Sequence, residues 1–452
     1  MAKNLEAMQP LYNMLADAAL RKKSLGSKIL FIDDVALKAN EELNHKDWEN
    51  VHFKEVEFYG RFDMGNLKNV TFEKCFFMGR EGDGIGDGMF VQGAEDVTFV
   101  KCETHGQVYL MGYGAKNLVF EACDFTDQPN TDDNKWGAVC YEGEVLYKKC
   151  KAEHIDISGK GTVHYDGCEF TNMEMSNGQH SEKPEKRKFA EVLIENCAFK
   201  GEVDMQIANI ASLTMRNTTF ETILTPESLR DNLTLENVKG NYLWFQAADL
   251  PLKNITVKNC EFFSKGNKIP TFRIYKKGDK PVHSETLTID GIKYDLKGLQ
   301  DTAGDVYQAA EKNTQIKNIE MSRIGLELRG GKVQMDNIKC GAAIFETPTD
   351  KPTELSLSNI NIERKTKFTG VKLTTLTIDG YHGDTLDLKD AKIGRLEIRN
   401  SRVETLLDLT NAQVGSGDFA TLTGSKKIKV ITKGSNLDVK DGTLYVVPPK
   451  KA

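Results

Sequence analysis

The chain has 452 residues, 39% hydrophobic and 28% charged, with only 11 prolines, a composition that excludes wholesale disorder and collagen-like character. Sixty basic residues against 66 acidic ones leave a formal charge of -6, so no general pull toward nucleic acid is expected. Eighteen apolar residues never run together, which argues against membrane insertion.

The opening MAKNLEAMQP lacks the basic and then apolar pattern of a secretory signal. Nine cysteines, an odd number, then argue for reduced thiols rather than a disulfide framework. The expectation is cytoplasmic synthesis without a Sec signal, with the cytoplasm, a virion or injection as final location. From Leu5 to Leu25, Leu5, Met8, Tyr12, Leu15 and Ala19 recur at three- and four-residue spacing. Residues 1–28 are therefore predicted to form a helical cap over the first turn of the following domain.

That domain, residues 45–432, is a repeat. Each copy opens on an apolar residue (position 0), with another at +2, often Asn or Gly at +4, Cys or an apolar residue at +5, and commonly an aromatic at +7. Sixteen starts are read, at Val51, Val70, Val97, Leu118, Val145, Val163, Val192, Leu213, Leu233, Ile255, Leu287, Ile319, Val333, Leu355, Leu376 and Leu396. Their mean spacing of about 23 residues is too short for helical repeats, and two-residue alternation suits a stack of parallel strands. Leucine-rich repeats share the period but want a leucine and asparagine framework that the first six copies lack.

Position +4 decides between them. It holds Asn196, Asn217, Asn237, Asn259, Asn337, Asn359 and Asn400, with Gly167, Gly291 and Gly380 at equivalent places. These residue types tolerate the left-handed backbone of a sharp corner. The pattern resembles the asparagine ladder of right-handed parallel β-helices of the pectate-lyase-like superfamily. The expected fold is all-β, a single-stranded right-handed parallel β-helix solenoid with an N-terminal helical cap.

The register assigns the core. Position +2 carries Phe53, Phe72, Phe99, Phe120, Tyr147 and Tyr165, an aromatic stack, and +5 carries Cys75, Cys102, Cys123, Cys150, Cys168, Cys197 and Cys260. Stacked cysteines are read as small core hydrophobes, because zinc sites want pairs two to four residues apart. Position +1 is rich in threonine and +3 mixes charge signs, as a solvated sheet surface does. Toward the end, Ile428 to Thr432 and Thr443 to Val447 read as closing strands, the latter within a C-terminal segment of residues 433–452.

Long insertions follow about +8 in several copies and are expected along one edge. Acid concentrates in the first two, with Asp83 and Asp87 in REGDGIGDG and Asp124, Asp127, Asp132 and Asp133 near Trp136. The segment from Lys265 to Lys280 is basic, with Arg273, Lys276 and Lys277. Such polarity suits protein contacts, so Asp83, Asp87, Trp136, Arg273, Lys276 and Lys277 are the candidate binding residues.

No nucleotide, metalloprotease or serine-hydrolase motif is present, and no cofactor is expected. The weak catalytic alternative is Asp132 and Asp133, in an Asn-Thr-Asp-Asp string reminiscent of polygalacturonase-like enzymes. Here the string lies in one loop, where those enzymes keep their acids on adjacent strands. A weak calcium alternative is Asp83 with Asp87. Two functions follow: a non-enzymatic solenoid that builds or binds through a protein partner or self-association, as in a virion, injection apparatus, scaffold or effector; or a carbohydrate-active β-helix, a polysaccharide lyase or glycoside hydrolase such as a phage spike.

Overall fold

The computed structural model describes residues 29–38, 43–78, 88–105, 109–126, 139–157, 161–175, 189–205, 210–224, 229, 231–245, 252–264, 271–274, 284–295, 304–419, 422–424, 428–440 and 443–447. The helix expected over residues 1–28 lies outside them, and no helix occurs among the described residues. The fold is an all-β parallel solenoid. The chain divides into two compact units, Met1–Ser228 and Leu229–Ala452.

In the first unit the position-0 residues stack in register, from Leu30 to Val51, Val70, Val97, Leu118, Val145, Val163, Val192 and Leu213, all through parallel pairing. The rung at Leu30 precedes the first copy read from the sequence. In the second unit the stack runs from Leu233 through Ile255, Leu287, Thr314, Val333, Leu355, Leu376 and Leu396 to Gly417.

One expected copy is thereby corrected, since position 0 of the twelfth is Thr314 and Ile319 sits at +5, opposite Ile292. The slip has a physical source. Thr314 is fully buried, and its hydroxyl accepts the backbone N–H of Ala310 at 2.8 Å, so a polar residue stands where the pattern asks for an apolar one.

The +4 corner is left-handed in every copy. The ten Asn and Gly residues named above all have positive φ, as does Asn318 of the corrected copy. So do Glu55, Lys74, Lys101, Ala122 and Lys149, which have no intrinsic preference for that conformation. Pairing holds them there: Lys74 N–H donates to the Val100 carbonyl at 2.8 Å, and Lys101 N–H to that of Glu121 at 2.8 Å.

Amides bond from rung to rung at some corners, with Asn217 Nδ2 donating to Asn196 Oδ1 at 3.1 Å and Asn337 Nδ2 to Asn318 Oδ1 at 2.8 Å. Where glycine takes the corner, the aspartate before it accepts instead. Asn196 bonds to Asp166, Asn318 to Asp290 and Asn400 to Asp379, at 2.8, 2.6 and 2.9 Å. An Asp-Gly pair thus divides between two residues what one asparagine does, glycine giving the backbone and aspartate the acceptor. A second left-handed corner, at position -1, runs through Asn50, Asn69, Asp96 and Asn117 of the first unit.

Inside the first unit the rings at +2 form one column. Consecutive centroids from Phe53 through Phe72, Phe99, Phe120 and Tyr147 to Tyr165 lie 4.6–5.2 Å apart, with planes within 17°. In-register stacking on parallel strands forces this near-parallel geometry.

Beside it, the six cysteines from Cys75 to Cys197 are buried and unbridged, as are Cys260 and Cys340. They also act as weak donors. Cys75, Cys102, Cys123, Cys150 and Cys168 each point Sγ at the +2 carbonyl of the preceding rung, 3.2–3.4 Å away. Thr218 takes the same place one rung after Cys197, donating to the Arg216 carbonyl at 2.8 Å. From Cys75 to Thr218 this place is held by small side chains with a hydrogen to give, whereas Val56, Val238 and Ile292 fill it with apolar bulk elsewhere, and burial pushes the Cys102 and Cys123 thiols well above the ordinary range.

At the far end of the second unit, strands Leu437–Lys440 and Thr443–Val446 pair antiparallel, with Leu437 and Leu444 buried. The Asn436 amide bonds both backbone groups of Val414, donating to its carbonyl at 2.6 Å and accepting its N–H at 2.9 Å. A side chain so occupies the place of a further strand on the edge of Gln413–Asp418.

Candidate functional site: outward rows and loop stems

Asp83, Asp87, Asp132, Asp133, Trp136, Lys276 and Lys277 lie outside the described residues. Arg273 falls in strand Thr271–Ile274, opposite Trp244 and between the buried Phe272 and Ile274. The first-unit loops leave from one stack: strands Phe76–Met78, Asp124–Phe125 and Glu169–Met175 precede residues 79–87, 127–138 and 176–188. Their stems belong to the parallel series Phe76, Glu103, Asp124, Lys151 and Glu169. Asp124, counted with the acidic loop, is a turn cap, its Oδ1 accepting the N–H and hydroxyl of Thr126 at 3.0 and 2.5 Å.

Glycan cleavage needs carboxylates free to take and give protons, roughly 5 to 9 Å apart. Asp387 and Asp408 are in register on neighbouring rungs, as are Asp166 with Glu195, Glu327 with Glu346 and Glu397 with Asp418. In the first of these pairs both groups are committed elsewhere. Asp387 accepts the Lys389 N–H at 3.1 Å and pairs with Lys365 at 2.9 Å, while Asp408 accepts the N–H and hydroxyl of Thr410 at 2.9 and 2.6 Å. Among the described residues no group of three His, Cys, Asp or Glu is placed to hold a metal ion.

The outward +3 rows are laced by pairs between rungs. In the first unit Glu195 meets His164 at 3.2 Å and Arg216 at 3.0 Å, and Lys148 meets Glu121 at 3.1 Å. In the second, signs alternate along Glu236, Lys258, Asp290, Lys317 and Asp336, with Lys317 and Asp290 3.0 Å apart. Such exposed pairs each contribute about 0–1 kcal/mol, and their larger effect is to fix which partners a surface tolerates. Burial works to raise the Asp290 carboxyl, but bonds from Asn318 and Lys317 outweigh it and hold the group below its usual range. Ser358 and Asn359 do the same for Asp336.

The corrected register reveals a feature the sequence pattern missed. With Thr314 at position 0, the +1 row of the second unit reads Thr234, Thr256, Thr288, Gln315, Gln334, Ser356 and Thr377, seven consecutive rungs without a charge. All seven are at least partly exposed, and none is hydrogen-bonded through its side chain among the described residues. A copy starting at Ile319 would place the charged Glu320 in the middle of this row. Compared with family models, with curated proteins and with solved structures, the chain matches none.

Proposed function

We propose that the protein is a non-enzymatic β-solenoid working through protein contacts, as a subunit of a larger assembly (virion, injection apparatus or scaffold) or as an effector made in the cytoplasm. The finer architecture in this reading is a right-handed parallel β-helix of the pectate-lyase-like kind with asparagine-ladder corners. The observation that carries the function is the outward surface. Its ladder rows are mixed in sign and paired between rungs, and one long row is uncharged, while the in-register pair of Asp408 with the buried Asp387 is occupied in turn caps. A surface of this kind meets another protein surface well, because it offers many small hydrogen-bonding groups and no strong single-sign field.

The binding loops of the proposal are those with Asp83, Asp87 and Trp136 and the basic segment with Arg273, Lys276 and Lys277. Contacts between exposed charges weaken with salt, since the Debye length falls from about 10 Å at 0.1 M to about 3 Å at 1 M. Association through these loops, with a partner or with itself, is therefore expected to weaken as salt rises and to be reduced when Lys276→Glu and Lys277→Glu are combined. Sedimentation velocity across a salt series, with and without cell extract, reads both effects. Association unchanged by salt and by the double reversal would remove these loops from the account.

A further inference from the structure

We infer that the uncharged row of the second unit is a self-association face, on which a second copy of the chain sits about a two-fold axis running along the row. The inference rests on the reading of the protein as one that works through protein contacts, and it names the surface.

The row is self-complementary. A closed dimer places the same patch on both copies, so every residue on the axis meets its own copy. Charged residues on the axis repel; threonine, serine and glutamine both donate and accept, and pair with themselves. Such a row spans seven rungs here, from Thr234 to Thr377.

The same axis places position -1 of each rung against position +3 of the same rung in the other copy. Across the first four rungs, asparagine or threonine then faces Glu236, Lys258, Asp290 and Lys317. In the fifth, Lys332 faces Asp336, and in the last two Glu354 faces Ser358 and Thr375 faces Asp379. No like charges face each other on the same rung over the seven. Turning the axis to lie along the strands instead sets Glu236 against Asp379 and Asp290 against Asp336, so the charges choose the first arrangement. The next rung ends the face, because Glu397 stands on the row with Arg395 and Arg399 beside it.

Chemistry also disfavours a sugar chain as the occupant. Positions -1, +1 and +3 of these rungs hold no aromatic side chain to serve as a stacking platform. Six rung spacings by four residues give a patch of roughly 29 by 13 Å, or about 800 Å² over both copies. That is the size of weak, transient encounters, so the dimer forms only at high concentration.

Sedimentation velocity of the full chain over a concentration series, at about 0.1 and 1 M salt, tests this. The expected result is a dimer fraction that rises with concentration and survives high salt. Gln315→Lys puts a charge against its own copy and is expected to raise the dissociation constant about tenfold or more. Because Gln315 is exposed, the thermal unfolding midpoint should not move, and Gln334→Lys is the second variant if it does. A wild type that stays monomeric at every concentration, or a dimer indifferent to both variants, overturns the inference. Association abolished by salt and by the Lys276→Glu, Lys277→Glu pair, yet untouched by Gln315→Lys, also overturns it while leaving the loop reading standing. A monomer retained on an immobilised neutral polysaccharide overturns it in favour of a glycan.

Discussion

Phe99→Ala is expected to destabilise the fold by about 3–5 kcal/mol, the range for a fully buried phenylalanine whose site does not collapse. Collapse is resisted from both sides. Phe99 lies between Phe72 and Phe120 at 4.6 and 4.7 Å, with Phe77 tilted against it at 5.9 Å, and is wholly buried. The neighbouring rings belong to rungs whose spacing is fixed by backbone bonds, so neither can move along the column to fill the gap. Chemical unfolding followed by near-ultraviolet circular dichroism reads the effect. Phe31→Ala is the control, since Phe31 is 67% exposed and its loss is expected to cost about 0.5 kcal/mol or less.

Gly161→Ala is expected to cost about 3 kcal/mol or more, from backbone rather than core. Gly161 has φ 116°, and an added Cβ would lie 2.2 Å from the Gly143 carbonyl oxygen in the rung before. Gly143 repeats the situation against Ala115, at 2.1 Å. Two glycines therefore stack where the rungs approach too closely for any side chain, and the clash falls on backbone, which cannot swing away. Gly114→Ala separates the two contributions. Its φ is 62° but nothing lies within 4 Å of the new methyl, so only the conformational cost of about 1–2 kcal/mol should remain. Equal losses at Gly161 and Gly114 would show that the close approach is not there.

The register was legible because two signals coincide in most copies, apolar residues at 0 and +2 and a residue tolerant of the left-handed region at +4. It failed where one signal was replaced by a satisfied exception. Thr314 is polar but bonded to Ala310, and reading past it moved the start to Ile319 and hid the uncharged row through Gln315. The corner at Glu55, Lys74, Lys101, Ala122 and Lys149 carries no mark in its own residue type, because pairing imposes the conformation. In sequence alone the cysteine row reads as packing, because its donor role depends on the carbonyls that face it from the preceding rung. The Asp-Gly corners were half legible: glycine announced the turn, while the acceptor role of Asp166, Asp290 and Asp379 depends on the asparagine one rung on. Site residues were less legible than the core, since loops obey no periodicity and nothing in a single loop's sequence says what it faces.

The central claim is that this solenoid binds rather than cleaves, and release of reducing ends from a panel of polysaccharides by the full chain tests it most directly. The account predicts no release above that of the heat-unfolded protein. Release that is reproducible and disappears in Asp132→Asn or Asp133→Asn would contradict it, and would place catalysis in the loop that follows Asp124–Phe125.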